Sequence, residues 1–305
     1  MEMEDIPSFA ELHNAAEAHD PEFRPRTPDE MGKMAIKSPE DTLDSHFGAF
    51  VSGRMVVGGG GHFRPEKSDD GKAYFHFYAE PEFLGSAAER EVFELVRASL
   101  KKKGARTIGM RANTTNASKV RMLERLGFHK NEYQRHHMER CLQGVSAPTV
   151  PVGYILRNAR MPDEMAQLQE TNNEAYSTRN FKPTPFDEFS KYSYLNDPKS
   201  LTGLFVVERI SDGKIVGWVG SQVEHLYNSL HGRKRGGSYA LVVIPSERGK
   251  GIGRALMQSS LRWIASKEMD FAYLGVNHQN PDALHLYKSL GYELVGIWQG
   301  YEREV

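Results

Sequence analysis

The chain has 305 residues, a length that suits two domains of ordinary size. Its formal net charge of −1 argues against a general nucleic-acid binder, and its single cysteine, Cys141, excludes a disulfide framework or a cysteine-rich metal site. No apolar run approaches the length of a membrane helix, so a soluble, reducing, cytoplasmic setting with no membrane partner is expected.

The amino terminus, Met1-Glu2-Met3-Glu4-Asp5, is acidic and lacks a signal-peptide pattern. Pro7-Ser8 marks a helix start, which leaves little room for a strand before it. Residues 47 to 58 read FGAFVSGRMVVG, two strands joined by a glycine-containing turn. Pro81 then precedes Leu84-Gly85-Ser86-Ala87-Ala88-Glu89, and Val92 and Leu100 lie on the apolar stripe of a helix. Lys101-Lys102-Lys103 before Gly104 is best read as a helix C-terminus, where cations suit the macrodipole and glycine caps. His136-His137 is discounted as a metal pair, because neighbouring strand residues face opposite ways.

The small, polar, proline-bearing stretch from Gln143 to Pro151 marks a boundary, giving modules at 1–144 and 152–305. Val152 to Leu156 starts the second with a strand. Tyr176, Phe181, Phe186, Phe189, Tyr192 and Tyr194 follow, mostly core by expectation, with one or two available to shape a pocket. Residues 205 to 217, FVVERISDGKIVG, read as another hairpin. Glu224 and His225 fall on the strand that follows. His231-Gly232-Arg233-Lys234-Arg235-Gly236-Gly237 reads as a solvated hairpin between strands, with contact to an acidic substrate or a phosphate as the sharper reading.

Val242-Val243-Ile244 ends at Pro245, and Arg248-Gly249-Lys250-Gly251-Ile252-Gly253-Arg254 leads into a helix. This order builds an anion cradle. Glycines admit close approach of backbone N–H groups, the helix N-terminus adds partial positive charge, and Arg248, Lys250 and Arg254 add full charges. It is not a P-loop, because Gly251 follows Lys250 where a hydroxyl would bind magnesium. It is not a dinucleotide fingerprint either, because the glycines recur every second residue without a surrounding βαβ unit. Downstream, Ile252, Leu256, Ser260 and Ile264 form one helix row beside Met257, Leu261 and Ala265. A buried strand, Phe271 to Val276, leads through Asn277 to a second helix with Pro281 in its first turn and Gly291 at its end.

The segment R-G-K-G-I-G resembles the acyl-CoA pyrophosphate loop of the GNAT acetyltransferase superfamily. Asn280 to Tyr292 resembles the family's second signature, N-x-x-A-x-x-L-Y-x-x-x-G-[FY]. The chain is identified as a tandem-domain member, with an architecture similar to mycothiol synthase. An offset of 164 residues maps Pro245 to Pro81, Gly249 to Gly85, Asn280 to Asn116 and Gly291 to Gly127. The fold class expected is α/β with a mixed sheet, in two tandem modules. The copies differ at the loop. The first has lost Arg248, Lys250 and two glycines, places Glu89 where phosphate would sit, and has Leu123 in place of Tyr287. It is expected to be catalytically silent and to bind CoA weakly or not at all.

The resemblance implies acetyl transfer from acetyl-CoA to a primary amine, with no metal. It places Val242 and Val243 along the pantetheine arm, Arg248 to Arg254 around the pyrophosphate, Asn280 beside the arm, and Tyr287 as the acid for the departing sulfur. Related enzymes often carry a glutamate at the start of the strand before the loop. Here Gly236-Gly237-Ser238-Tyr239-Ala240 has no carboxylate, so Glu224 is ranked first as general base, ahead of His225 and a water chain. A small-molecule acceptor is expected. A non-catalytic acyl-CoA-binding regulatory or scaffolding protein, and a protein N-acetyltransferase, are the alternatives. Nothing in the sequence identifies the acceptor or the oligomeric state.

Overall fold

The structure is a computed structural model, and it describes residues 1–36, 42–63, 70–177, 182–192, 195 and 201–305. Two compact units emerge. One comprises residues 1–135 and 296–305, the other residues 136–295. Relative to the sequence repeat at 1–144 and 152–305, the final residues thus pack with the first unit, and 136–144 pack with the second.

In the first unit, helices α1 (Ile6–Glu17) and α2 (Pro28–Ala35) precede strands β1 (Phe47–Val51), β2 (Arg54–His62) and β3 (Lys72–Ala79). Helix α3 (Ala87–Lys102), strand β4 (Thr107–Asn113) and helix α4 (Ala117–Arg125) follow. Strand β5 (His129–Cys141) contributes its first half here and its second half to the other unit. No strand precedes β1 among the described residues. The strand beside β4 comes from the end of the sequence: residues of β11 (Glu293–Glu304) run antiparallel to it, from Trp298 opposite Asn113 to Glu304 opposite Thr107.

Alternation along β3 explains the layers. Phe75 and Phe77 face a core that holds Val92, Phe93 and Val96 of α3 and Leu123 of α4. Tyr78 faces the other way, among Phe9 and Leu12 of α1 and Met31 of α2. This is the period-two pattern of a strand covered on both faces. Four consecutive glycines in β2, Gly58 to Gly61, meet a packing demand: a Cβ on Gly60 would lie 2.1 Å from the His46 ring.

In the second unit, β6 (Tyr154–Asn158), α5 (Met165–Tyr176), α6 (Phe186–Phe189), β7 (Phe205–Arg209) and β8 (Ile215–Val223) come first. They are followed by α7 (His225–His231), β9 (Arg235–Val243), α8 (Ile252–Ser266), β10 (Phe271–Asn277) and α9 (Pro281–Ser289). Leu256, Leu261 and Ile264 of α8 are fully buried against Val207, Val216 and Val219. Burial of each such side chain contributes roughly 1.5–3 kcal/mol. Phe189 and Trp218 pack at 90° in a second cluster beneath α5. Of the other aromatics singled out from the sequence, Phe186 and Tyr192 are partly exposed, and Phe181 and Tyr194 lie outside the described residues.

Two sequence expectations are corrected here. Glu224 and His225 do not lie on a strand: β8 stops at Val223, and Glu224 is the N-cap of α7. The stretch from His231 to Gly237 is not a solvated hairpin. Arg235 opens β9 fully buried, ion-paired with Glu224 at 2.8 Å and Glu139 at 3.3 Å, with its guanidinium 3.3 Å from the Tyr227 ring centroid. A buried guanidinium needs such partners.

His46 has no exposed surface, and burial lowers its pKa to about 3, helped by nearby His62, the amino terminus and Lys103. The unfolded chain therefore takes up a proton below the ordinary value of 6.5 that the folded chain refuses. Stability must fall as pH drops from about 6.5 towards 3, with a contribution of up to about 1.4 kcal/mol per pH unit. Urea midpoints measured across that window should show a shallower slope for His46→Phe than for the native chain; equal slopes would remove His46 from the acid response.

Candidate functional site

Both units share one backbone device. In each, a strand leading into a long helix pairs in parallel with the strand after that helix, over three residue pairs only. In the second unit the pairs run from Arg235 with Phe271 to Gly237 with Tyr273. In the first they run from Lys72 with Thr107 to Tyr74 with Gly109. Beyond these pairs the strands are not laddered to each other, which opens a cleft towards the N-terminus of the following helix.

In the second unit this opening is a cleft of about 590 Å³, lined by the end of β9, the loop after it, the start of α8 and one face of α9. Val242, Val243, Arg248, Gly249, Gly251, Ile252, Gly253, Arg254 and Asn280 all line it. Sequence reasoning had placed these residues together. Lys250 and Tyr287 do not line it, and neither does Glu224. Lys250 turns to Glu247, 2.8 Å away. Tyr287, on α9, is buried in the core with its ring 5.9 Å from that of Tyr292.

The loop is held by a carboxylate that the sequence did not single out. Glu247, 3 % exposed, accepts hydrogen bonds from Lys250, the Tyr154 hydroxyl and Arg209. These bonds, with Lys250 contributing most, hold its pKa down to about 2. Arg248 folds back to donate to the carbonyls of Val243 and Ala175. Arg254 donates to Ser289 on α9 at 2.7 Å.

What this frame presents is an uncapped helix end. Gly251 is the N-cap of α8 in the left-handed region at φ 89°, and no side chain caps the helix. The first N–H groups of a helix have no intrahelical partner. Here they face a cleft rimmed by Arg248 and Arg254, the arrangement that binds phosphate and other anions.

Strand β9 contributes a second device. Ala240, a non-glycine residue, has φ 51°, and the β8 register slips between Trp218 and Gly220, so two residues of β9 oppose one of β8. This is a β-bulge. It turns the last residues of β9, Leu241 to Val243, along the cleft wall. In the first unit β3 pairs with β2 without interruption from Tyr74 to Ala79.

The same positions in the first unit are filled from within. Ser86 caps α3 by accepting from the Glu89 N–H. The Glu89 carboxylate, with no exposed surface, accepts the Gly85 N–H at 2.8 Å and two-pronged hydrogen bonds from Arg125. An internal anion therefore sits in the cradle. Lys119, which corresponds to Ala283 in the cleft of the other unit, reaches over the Tyr78 ring to pair with Glu17 of α1. Burial works against the Lys119 charge, but Glu17, Tyr78 and Asp20 outweigh it and raise its pKa.

Glu224 is held by Arg235 and accepts a hydrogen bond from the Tyr239 hydroxyl, one residue before the bulge. Tyr239 was not among the sequence candidates. Its signal was present, since the aromatic sits in the carboxylate-free stretch where a base was sought. His137, discounted as a metal ligand, bonds the Tyr273 hydroxyl. Among the described residues no group of three or more His, Cys, Asp or Glu side chains could hold a metal ion.

The acetyltransferase (GNAT) family model matches residues 165–292. An N-alpha-acetyltransferase from Sulfurisphaera tokodaii is 30 % identical over 155 residues, 45 % of this chain and 92 % of that protein. A mycothiol acetyltransferase from Tsukamurella paurometabola is 28 % identical over 156 residues, 48 % of this chain; the match spans about half, 50 %, of that relative's length. Two solved structures share the fold along the chain. A GCN5-related N-acetyltransferase from Sphaerobacter thermophilus has a TM-score of 0.69 at 17 % identity, covering 100 % of this chain and 94 % of that one. A tandem GNAT protein from the clavulanic acid biosynthesis pathway has a TM-score of 0.70 at 14 % identity, covering 99 % and 95 %.

The two kinds of glycine in the loop should separate by stability. Gly249 has φ 78°, whereas Gly253 has an ordinary φ and its nearest neighbour to an added Cβ is Leu286 at 3.4 Å. Gly249→Ala should cost about 1–2 kcal/mol in urea unfolding, whereas Gly253→Ala, inside α8, should be neutral or stabilising by up to about 1 kcal/mol. Equal losses would contradict this assignment of backbone strain.

Proposed function

The chain belongs to the GNAT acetyltransferase family, and from that premise we propose that its second module, residues 152–305, transfers an acetyl group from acetyl-CoA to a primary amine of a small-molecule acceptor in the cytoplasm. The first module, residues 1–144, is the non-catalytic copy. The observation that carries this reading is the uncapped N-terminus of α8 beside a bulged strand, set against a cradle in the other unit already filled by Glu89.

Family members use acetyl-CoA, and the residues here fit it. The N–H groups that follow Gly251, with Arg248 and Arg254, would hold the pyrophosphate. Gly249, Gly253 and Ile252 form the floor beneath it, and Lys250 adds positive charge from outside the cleft while it holds Glu247. The unladdered edge of β9 at Val242 and Val243 would pair with the amide-bearing arm in the manner of an added strand. Asn280 accepts the Ala283 N–H to cap α9 and faces the same arm. A backbone N–H near Val243 would stabilise the thioester oxygen as it takes on negative charge.

Two protons must move. The acceptor amine must lose one, because a free amine with a pKa of about 10 is mostly protonated at neutral pH. Glu224 is the proposed acceptor of that proton, acting through the Tyr239 hydroxyl that donates to it. Arg235 pairs with that carboxylate at 2.8 Å in its buried setting. The departing thiolate would gain a proton from Tyr287, a buried phenol on α9, the helix whose residues Asn280, Ala283 and Leu286 line the cleft.

A second acceptor class is favoured by one observation. The relative from Sulfurisphaera tokodaii is named an N-alpha-acetyltransferase and is matched over 92 % of its length, so an α-amino group on a peptide belongs in any acceptor panel. A purely acyl-CoA-binding role is the remaining alternative, and it predicts binding without thiol release across that panel.

Tyr287→Phe removes one hydroxyl from a packed ring. It should lower thiol release from acetyl-CoA by about 10²-fold or more while the CoA dissociation constant changes less than about threefold. Unchanged turnover would take Tyr287 out of the reaction.

A further inference from the structure

The first unit contains a cavity of its own, of about 470 Å³, on the α1 side of the parted strands β3 and β4. Its chemistry differs from that of the acyl-CoA cleft. Four cations line it, Arg26, Lys72, Arg111 and Lys119, against one carboxylate, Glu17. Glu17 is committed to Lys119, and Lys72 pairs with Glu302 outside the lining. Among the described residues no ion pair holds Arg26 or Arg111, and Arg111 lies with its guanidinium 4.1 Å from the Tyr133 ring centroid.

The walls are aromatic. Tyr74, 67 % exposed at the rim, and Trp298 line the cavity with Tyr133. Deeper in, two polar groups lack partners. The Tyr301 hydroxyl and the His13 Nδ1 are buried, on side chains 1 % and 7 % exposed, and neither has a hydrogen-bond partner among the described residues. Burial, with Arg26 and Lys119 nearby, lowers the His13 pKa to about 4, so its ring is neutral and offers Nδ1 without adding charge. Buried polar groups left unpaired are uncommon and call for a partner. Lys119 and Glu17 pair within the lining, and the chamber beside them stays open.

We propose that the first unit binds an aromatic acid, a planar ring bearing a carboxylate or phosphate. The anionic group lies between Arg26 and Arg111, the ring lies among Tyr74, Tyr133 and Trp298, and a polar substituent reaches Tyr301 and His13. A guanidinium pair matches an oxyanion with forked hydrogen bonds, and aromatic walls select a flat ring by stacking. The volume suits one small molecule. This site is independent of acetyl transfer in the second unit.

Titration calorimetry on the full chain tests it with 4-hydroxybenzoate and phenyl phosphate as probes. 4-Hydroxybenzyl alcohol serves as the uncharged control and acetate as the ringless one. One or both aromatic acids should bind at one per chain, at least tenfold tighter than either control. Which of the two binds more tightly identifies the anionic group. Arg111→Gln, a change at an exposed side chain, should weaken binding at least tenfold, and Tyr301→Phe should weaken the hydroxylated probe but not phenyl phosphate. Saturating acetyl-CoA should leave the titration unchanged. Equal binding of the uncharged control, affinity indifferent to Arg111→Gln, competition by acetyl-CoA, or no heat with either acid at millimolar concentration would overturn the proposal.

Discussion

Two parallel strands that pair over three residues and then part impose the constraint on which the rest of each unit depends. Parting leaves strand-edge polar groups and a helix N-terminus around one opening, and buried backbone groups of this kind must be satisfied. The first unit satisfies them internally. Ser86 and the Glu89 carboxylate occupy the helix end, Arg125 neutralises Glu89, and Lys119 pairs with Glu17 at the edge of a separate cavity beside the strands. The second unit leaves the same positions to a cleft. Ala283 stands where Lys119 stands, Gly253 where Glu89 stands, and no side chain caps α8.

The charges follow from that difference. Every cation of the second loop is already tied to the protein: Lys250 to Glu247, Arg248 to two carbonyls, Arg254 to Ser289. They therefore shape the loop as much as they supply charge. The proposed anion binding rests on backbone N–H groups and the helix dipole, which need no side-chain rearrangement to act. Preorganised donors of this kind are what an electrostatic site requires. Ala240 fits the same picture. Its positive φ costs about 1–2 kcal/mol in a non-glycine residue, a strain retained where the strand must turn its edge to the cleft.

Much of this was legible in the sequence. The loop and the Asn280–Tyr292 signature are contiguous, so local spacing reveals them, and the offset of 164 residues carries the repeat through Pro81, Gly85, Asn116 and Gly127. The unfavourable charge of Glu89 was readable, but its bond to the Gly85 N–H was not. What stayed hidden depends on partners distant in sequence. Lys119 meets Glu17 across 102 positions. Arg235 is buried by Glu139 and Glu224, which turned an apparent surface hairpin into a short helix and a buried strand start. The bulge at Ala240 left no trace because alanine has no preference for positive φ. Residues 296–305 pack with the first unit, pairing with β4, and no local pattern says which neighbour a strand will take.

The central claim is that the chain has two cradles and that only one accepts an exogenous anion. Calorimetric titration with acetyl-CoA of the native chain and of Gly253→Glu, which installs in the second cradle the carboxylate that the first has at Glu89, tests it most directly. The account predicts one acetyl-CoA bound per chain and loss of that binding in the variant, with the fold retained by circular dichroism. Two molecules bound per chain, or undiminished binding in a folded Gly253→Glu variant, would contradict it.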